Sequence, residues 1–296
     1  MPAIFQEEPN ILITGATGFI GRSVMAQLQR AGIEAHPYQS RINNYLDIRK
    51  ALTGKTAVIH LAGSESRGRN RLLNHVDIEG TARLLEECTR ANIKHLIVIS
   101  RIGAEANSSH SLLAAKGKIE KMVHQSETPA TIIRSASVYG IHDRYFEIIL
   151  GISCWSFPFA WLPGGGSETW QPLWVEDLAR CLIATLNRPD LINKTVTVAG
   201  EEHIQYKELV KRILVTAGVR RLAVRLPITL LRPLSQLLFQ WWFWPPVTSY
   251  FVDRFFVPEA VAHDTILRTY GFRPARLNQT MNYLRRPGLR WRLFRR

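Results

Sequence analysis

The chain has 296 residues, of which 46% are hydrophobic and 21% are charged. This balance excludes a globally disordered protein, because there is enough apolar surface to build a core. The 38 Lys and Arg residues outnumber the 24 Asp and Glu residues, so the net charge is +14 and anionic partners are favoured. The three cysteines show no spacing pattern with each other or with histidine, so we expect neither a disulfide framework nor a metal site.

Short apolar runs alternate with amphipathic stretches, which is the pattern of βαβ units around a parallel sheet. The predicted strands are Ile11–Thr14, Ile33–Tyr38, Tyr45–Ile48, Ala57–Ala62, Leu96–Ser100, Thr131–Arg134 and Thr195–Val198. The predicted helices are Ile20–Arg30, Ile78–Ala91 and Leu112–Gln125. We therefore expect an α/β fold with a doubly wound parallel sheet. Its nucleotide-binding domain would cover residues 1–150 with segments returning near 170–200, and a smaller C-terminal lobe would cover most of 151–296.

The composition changes after about residue 222, where Leu, Phe and Trp become frequent. Pro233–Val252 contains no charged residue, which raises the question of a membrane span. Pro245 and Pro246 interrupt this stretch, so a spanning helix is not expected. Thr265–Arg296 then carries nine Arg and no acidic residue, which concentrates the basic charge at one end of the chain.

Three interpretations of this end remain open. In the first, the aromatic residues form the core of the lobe. In the second, they form an interfacial anchor, with Trp241, Trp242 and Trp244 at the lipid boundary and Arg beside lipid phosphates. Binding of single-stranded nucleic acid is the third, and it is not expected because no recognisable nucleic-acid module is present. We expect a membrane surface or a membrane protein complex as partner. With no secretory signal visible, the predicted location is cytoplasmic and peripheral to the membrane.

A glycine-rich segment follows the first predicted strand and opens the first predicted helix. In such a context Gly15 permits a tight turn, Gly18 lets the backbone approach a pyrophosphate, and Gly21 lets the helix pack closely on the sheet. The amides of the helix N-terminus add donors and partial positive charge. The predicted cofactor contacts in this segment are Gly15, Thr17, Gly18, Phe19, Ile20, Gly21 and Arg22.

The Gly-x-x-Gly-x-x-Gly spacing resembles that of the short-chain dehydrogenase/reductase superfamily, in its extended and atypical branches. Further matching segments are Asp47-Ile48, His60-Leu61-Ala62-Gly63, Glu79-Gly80-Thr81, Ile133-Arg134, Val138-Tyr139-Gly140 and Trp174–Ala179. The family's Asn before the helix is Asp77 here, and its Pro after the Arg is Ser135. The resemblance implies a Rossmann-type fold, a bound NAD or NADP, and further cofactor contacts from Asp47, Ile48, Leu61, Ala62, Gly63, Lys116, Ser137 and Val138.

The residues after the second predicted strand bear on the choice of dinucleotide. An NAD site usually places an acidic residue there to hold the ribose 2′-hydroxyl. Here the stretch reads Tyr38-Gln39-Ser40-Arg41, so no carboxylate repels a 2′-phosphate. Ser40, Arg41 and Arg22 are the candidates to bind that phosphate, and NADP(H) is favoured over NAD(H).

The catalytic pattern implied by the resemblance is incomplete. The family uses a Tyr four residues before a Lys on one helix face, with a Ser or Thr that orients the substrate. Lys116 matches the Lys and Ser100 is the candidate Ser, but the Tyr position is Leu112, which cannot exchange a proton. Substitute acids near this position would be His110, Ser111 and Tyr139.

The order of motifs near the C-terminus resembles the atypical branch that includes the NADPH-holding accessory subunit of respiratory complex I and its bacterial relatives. This implies an NADP(H)-binding protein without the usual catalysis, as an accessory subunit or assembly factor at the membrane. Two alternatives remain open. One is an active oxidoreductase or epimerase on a lipid-like or quinone-like substrate, and the other is a nucleotide-dependent redox sensor. The small-molecule substrate is not predicted.

Overall fold

A six-stranded parallel sheet forms the centre of the molecule. The computed structural model describes residues 9–42, 44–65, 70–227, 229–230, 249–257, 259–286 and 288–289. In spatial order the strands are β2 (Ala35–Pro37), β1 (Ile11–Thr14), β3 (Ala57–His60), β4 (His95–Arg101), β5 (Ala130–Ser135) and β10 (Thr195–Val198). The chain order reverses beside β1, so the carboxyl ends of β1 and β3 border the crevice in which such sheets bind ligands. The expected α/β class and parallel sheet are confirmed.

Helices cover both faces of this sheet, because successive strand residues point to opposite sides. Ile11 and Ile13 pack with Leu178 and Leu182 of one helical layer, whereas Leu12 lies in the other hydrophobic layer. The long helices of the domain are α1 (Phe19–Arg30), α2 (Tyr45–Leu52), α4 (Glu79–Arg90), α5 (Ser111–Gln125) and α7 (Val175–Leu186). A short helix, α3 (Asn70–Leu72), runs into a π-helical turn over Leu73–Ile78 that leads into α4.

One predicted strand is wrong, because Tyr45–Ile48 belongs to the helix α2. Ile48 and Leu52 are one helical turn apart, and both are buried in the same hydrophobic layer. Asp47 lies in the first turn and Arg49 in the last, which complements the helix dipole. The other predicted strands and helices are confirmed to within a few residues. Pro37 is tolerated in β2 because β2 is the edge strand.

A second hydrophobic core lies beside the domain. Its elements are α6 (Phe146–Trp155), α8 (Tyr206–Thr216), α9 (Ser249–Asp253), α11 (Leu277–Thr280) and a 3-10 turn over Met281–Arg285. Small two-stranded sheets border it and pair β6 (Val138–Tyr139) with β9 (Leu173–Trp174), β7 (Phe159–Pro163) with β12 (Leu222–Leu226), and β8 (Thr169–Trp170) with β11 (Ile204–Gln205). This core already includes Tyr139 and Phe146, so packing of the lobe starts before residue 151. A last helix, α10 (Thr265–Tyr270), contacts α7 and β10.

The predicted aromatic anchor lies outside the described residues. Trp241, Trp242 and Trp244 fall within 231–248, and the arginine-rich tail beyond Leu289 is likewise not described. In the described part of the chain, none of the helices has the length and apolar character to cross a bilayer.

Candidate nucleotide-binding site

The turn between β1 and α1 is built around backbone contacts that leave no room for side chains. Gly15 has a φ of +72°, and a Cβ there would lie 2.6 Å from the amide nitrogen of Ala62. A Cβ on Gly21 would lie 2.2 Å from the Gly15 carbonyl oxygen. The Gly18 amide donates to that same carbonyl at 2.9 Å and precedes the first residue of α1. The turn therefore holds α1 against the sheet and presents the helix N-terminus to the cleft.

A buried network fixes the end of β3 beside this turn. His60 is hydrogen-bonded through Nδ1 to the Thr14 hydroxyl at 2.7 Å and through Nε2 to the Thr81 hydroxyl at 3.0 Å. Burial, assisted by the charge of Lys116, lowers the pKa of His60 to about 3, so its ring is neutral. The strand end is thereby held in place, and it carries Leu61, Ala62 and Gly63 past the glycine turn.

Of the candidate 2′-phosphate residues, Ser40 and Arg41 follow the carboxyl end of β2, whereas Arg22 lies in the first turn of α1. The Tyr38 hydroxyl donates to the Arg41 carbonyl at 3.1 Å and so shapes the loop that follows the strand. Ser40, Arg41 and Arg22 are all exposed. Within the described residues, neither Arg22 nor Arg41 forms an ion pair, so both guanidinium groups are available to an anion.

Three other predicted contacts occupy different environments. The Asp47 carboxylate accepts a hydrogen bond from the Asn44 side chain at 2.6 Å. The Ile48 side chain is buried in the hydrophobic layer beneath α2, so any contact with an adenine ring would come from its backbone. Thr17 is exposed in the glycine turn. The roles of these residues in nucleotide binding remain predictions.

The predicted catalytic residues on α5 lie in unlike surroundings. Lys116 lines the cleft, and its Nζ is 4.0 Å from Oδ1 of Asp77. Burial raises the pKa of Asp77, while Lys116 and two hydrogen bonds from Ser64 oppose that shift. Leu112, four residues before Lys116, is only 3% exposed and packs against Tyr250 of α9. The residue predicted at the position of the family's proton donor therefore lies in a buried apolar cluster with Tyr250 of the C-terminal segment.

Ser100 lines the cleft with its hydroxyl already engaged. That hydroxyl donates to the Glu120 carboxylate at 2.5 Å, and Glu120 also pairs with Arg134. To orient a substrate, Ser100 would have to give up this buried hydrogen bond. Among the proposed substitute acids, the Tyr139 hydroxyl is bonded to Thr280 at 2.6 Å.

A buried ion-pair network occupies the far end of the same cleft. Arg101 pairs with Glu65 at 2.5 Å and with Glu259, which lies 158 residues later in the chain. Glu259 also accepts hydrogen bonds from the amide and the hydroxyl of Ser137. Arg254 donates to the Ser137 hydroxyl at 2.7 Å and to Glu65 at 3.1 Å. Together these contacts tie Arg254 and Glu259 to Glu65, Arg101 and Ser137.

The electrostatics of this network favour the ionised state of Glu65. Burial by itself would raise its pKa, but the guanidinium groups of Arg101 and Arg254 outweigh burial and lower the pKa to about 2. Ser137, a predicted cofactor contact, has both polar groups engaged with the C-terminal segment. Sequence reasoning missed Glu65, Arg101, Arg254 and Glu259, because partners so distant in sequence leave no local signal.

Between these regions lies a cleft of about 260 Å³. It is lined by Gly15, Gly18, Phe19, Ile20, Gly21, Leu61, Gly63, Ser100, Lys116 and Val138 from the predicted set, and by Glu65, Asp77, Arg101, Tyr145 and Arg254 among others. The glycine cradle and the free helix N-terminus fit the pyrophosphate of a dinucleotide. In the described part of the chain, no cluster of three His, Cys, Asp or Glu residues is arranged to hold a metal.

Comparison with known proteins gives relatives of two kinds. The mitochondrial 40 kDa subunit of NADH-ubiquinone oxidoreductase from Neurospora crassa is 23% identical, covering 92% of this chain and 78% of that protein. Subunit 9 of the NADH dehydrogenase 1 alpha subcomplex from Mus musculus is 26% identical over 68% of this chain, which spans only 59% of the mouse protein. The photosystem II assembly factor Ycf39 from Trieres chinensis is 26% identical over 78% of this chain and 77% of its own length.

Among solved structures, UDP-glucose 4-epimerase from Thermus thermophilus in complex with NAD superimposes with a TM-score of 0.70. The match covers 93% of this chain and 97% of the epimerase at 17% identity, which shows a common fold. The sequence profile of the NAD dependent epimerase/dehydratase family matches residues 11–200, well over half of the chain and the whole of the six-stranded sheet. The chain therefore belongs to the NAD dependent epimerase/dehydratase family.

Proposed function

We propose that this protein is an NADP(H)-binding accessory subunit or assembly factor, peripheral to a membrane protein complex and without turnover of its own. One observation carries the proposal. The glycine cradle is intact, while Glu65, Arg101 and Arg254 form a buried ion-pair network at the other end of the cleft, and Glu259 pairs with Arg101. This network would close the substrate site, so that a bound nucleotide serves as a structural or regulatory element of the protein.

The argument against ordinary catalysis has two independent parts. A nicotinamide nucleotide supplies hydride transfer when bound, and the family's chemistry needs a proton donor nearby. Leu112 cannot donate a proton, and it is buried in one hydrophobic cluster with Tyr250. The second part is access, because Arg101, which lies next to Ser100 on β4, is paired with Glu259 and Glu65 at the place where a substrate would approach.

The proposed partner class follows from the relatives and from the charge of this chain. Two relatives carry names of NADH dehydrogenase subunits and a third is named as an assembly factor of a photosystem. The net charge of +14 gives this protein an attraction to an acidic protein face or an anionic membrane. A cytoplasmic, membrane-peripheral location is part of the same proposal.

An active oxidoreductase is the second candidate, and one observation favours it. Lys116 lines the cleft, and the Tyr145 hydroxyl, which is buried in the same cleft, has no hydrogen-bond partner among the described residues. Burial raises the pKa of Tyr145 well above the ordinary value, so this hydroxyl is a neutral donor. It would replace the missing family Tyr only if a substrate displaced Arg254 and Glu259.

We expect the purified protein to retain a nicotinamide nucleotide in one redox state. With candidate carbonyls, quinones or sugar nucleotides, the oxidation of NADPH should not exceed the rate without protein, because a general acid worth about 10²–10⁴-fold is missing. Leu112→Tyr should not restore turnover, since Tyr250 and the closed cleft remain. The measurement is NADPH absorbance over time. If the wild type oxidised NADPH and Lys116→Ala did not, the proposal would be wrong and the protein would be an active oxidoreductase.

NADPH should bind more tightly than NADH, and Arg41→Ala should narrow the difference. Loss of one charge-assisted contact to a 2′-phosphate costs about 1.5–3 kcal/mol, which corresponds to roughly tenfold or more in the NADPH dissociation constant. NADH affinity should stay within about twofold. Arg30→Ala is a matched control, since Arg30 is exposed at the opposite end of α1. Equal affinities of the wild type for the two nucleotides would refute the NADP assignment.

A further inference from the structure

The described part of the C-terminal lobe carries an exposed aromatic surface. Four aromatic residues at alternate positions mark it: Trp155, Phe157, Phe159 and Trp161. Trp155 is 70% exposed and Phe157 is 74% exposed, whereas most large apolar side chains of the protein are buried. We name these four residues together with Leu222 the aromatic patch.

The strands β7 and β12 place three of these residues on one face. Phe159 and Trp161 lie on one face of β7 with ring centroids 5.7 Å apart, while Ala160 between them is buried in the lobe core. Phe159 is the register partner of Leu222 on β12, so both point to the same side, and Leu222 is 63% exposed. Trp155 at the end of α6 and Phe157 in the turn before β7 add exposed aromatic surface next to these strands in the chain.

Positive charge borders this face. The Arg221 guanidinium lies 5.1 Å from the centre of the Phe157 ring, and its Nε donates to the Ser153 carbonyl at 2.5 Å, which fixes it at the patch. Arg220, beside it in sequence, is exposed. Residues 148–167 and 209–227, which contribute the patch and its border, contain no Asp or Glu.

We infer that the aromatic patch inserts into the interface of a membrane that contains anionic phospholipids, with Arg220 and Arg221 against the lipid phosphates. Trp and Phe rings with Arg beside them suit the boundary between headgroups and acyl chains. The charge complementarity is with an anionic surface, and a neutral apolar groove would leave the arginines without partners. This inference deepens the proposed function, because it assigns the peripheral location to a defined face.

The test is partitioning of the full chain onto phosphatidylcholine vesicles with and without phosphatidylglycerol. Wild type should bind the anionic vesicles, and binding should weaken as NaCl rises. Trp155→Ser with Phe157→Ser should weaken partitioning at least tenfold, and Arg220→Gln should reduce the salt-dependent part. Leu267→Ser is the matched control, because Leu267 is an exposed apolar residue on α10, and it should stay within twofold.

A site-specific probe separates this face from the Trp241–Trp244 segment. Cys88 and Cys181 are buried, so Phe157→Cys in a Cys154→Ser background carries an environment-sensitive dye at the patch. Its emission should shift to the blue with anionic vesicles. The inference would be overturned if the wild type did not partition onto vesicles, or if the double aromatic variant partitioned as well as the wild type. Absence of an emission shift would overturn it too.

Two outcomes distinguish a failure of this inference from a failure of the proposed function. Patch-dependent retention on a solubilised membrane protein complex, without vesicle binding, would assign the patch to a protein partner and overturn the lipid inference alone. Calorimetry with NADPH on the same variants should show unchanged affinity. Failure of the wild type to bind NADPH would refute the proposed function and leave the vesicle result standing.

Discussion

Gly18→Val is expected to abolish nucleotide binding while the protein stays folded. Gly18 has an ordinary φ of −71°, and an added Cβ would meet only the Gly15 carbonyl, at 3.1 Å. The backbone therefore tolerates a side chain, but that side chain would stand at the start of α1, where a pyrophosphate approaches. We expect NADPH affinity to fall by about 100-fold or more, which corresponds to roughly 3 kcal/mol. Calorimetry and circular dichroism are the measurements.

Substitutions at two other glycines of the same βαβ unit serve as comparisons for Gly18→Val. A Cβ on Gly21 would overlap the Gly15 carbonyl, so Gly21→Val should disrupt folding itself. Gly32→Ala is the control: its φ is +71° with open space around it, so it should cost about 1 kcal/mol of stability and leave nucleotide affinity unchanged. Wild-type affinity in Gly18→Val would show that the cradle does not hold the nucleotide.

Glu259→Ala should destabilise the protein by about 3–5 kcal/mol, because it leaves Arg101 buried without one of its two carboxylate partners. Glu259 is 6% exposed and Arg101 is 8% exposed, so water cannot compensate for the loss. The substitution also removes the acceptor for the amide and hydroxyl of Ser137. Urea denaturation at neutral pH measures the change in the free energy of unfolding.

The control for this prediction is a surface ion pair of similar length. Asp264 pairs with Arg268 four residues later, and Arg268 is largely exposed. Asp264→Ala should therefore cost no more than about 1 kcal/mol. If Glu259→Ala cost as little, the segment 254–259 would not be held by the network, and the closed cleft would lose its role in the proposed function.

The proposed function brings together two features of the C-terminal segment. Leu112, at the position predicted for the family's proton donor, shares a buried cluster with Tyr250. Arg254 and Glu259, a few residues later, pair with Glu65 and Arg101. In this proposal, the missing acid and the closed substrate site both involve contacts of this segment with the nucleotide-binding domain.

The sequence by itself determined the nucleotide half of the protein. Strand and helix periodicities, and a glycine motif between β1 and α1, are local signals, because each depends on residues within one turn or one βαβ unit. The same locality predicts Lys116 as the family's Lys and Leu112 in the place of its Tyr. It failed at Tyr45–Leu52, where a short apolar segment suits a strand as well as a helix, and packing of Ile48 and Leu52 against the sheet decided for the helix.

Only the tertiary structure shows which residues come together at the other end of the cleft. Arg101 and Glu259 are 158 residues apart, and Glu65 and Arg254 are 189 apart, so no spacing rule connects them. The aromatic patch was hidden for a similar reason: Phe159 and Trp161 alternate with buried Ala160 and Leu162, a pattern that predicts a half-buried strand. Whether the outward side of such a strand is covered depends on its neighbours in space, and here β12 adds Leu222 to that side instead of covering it.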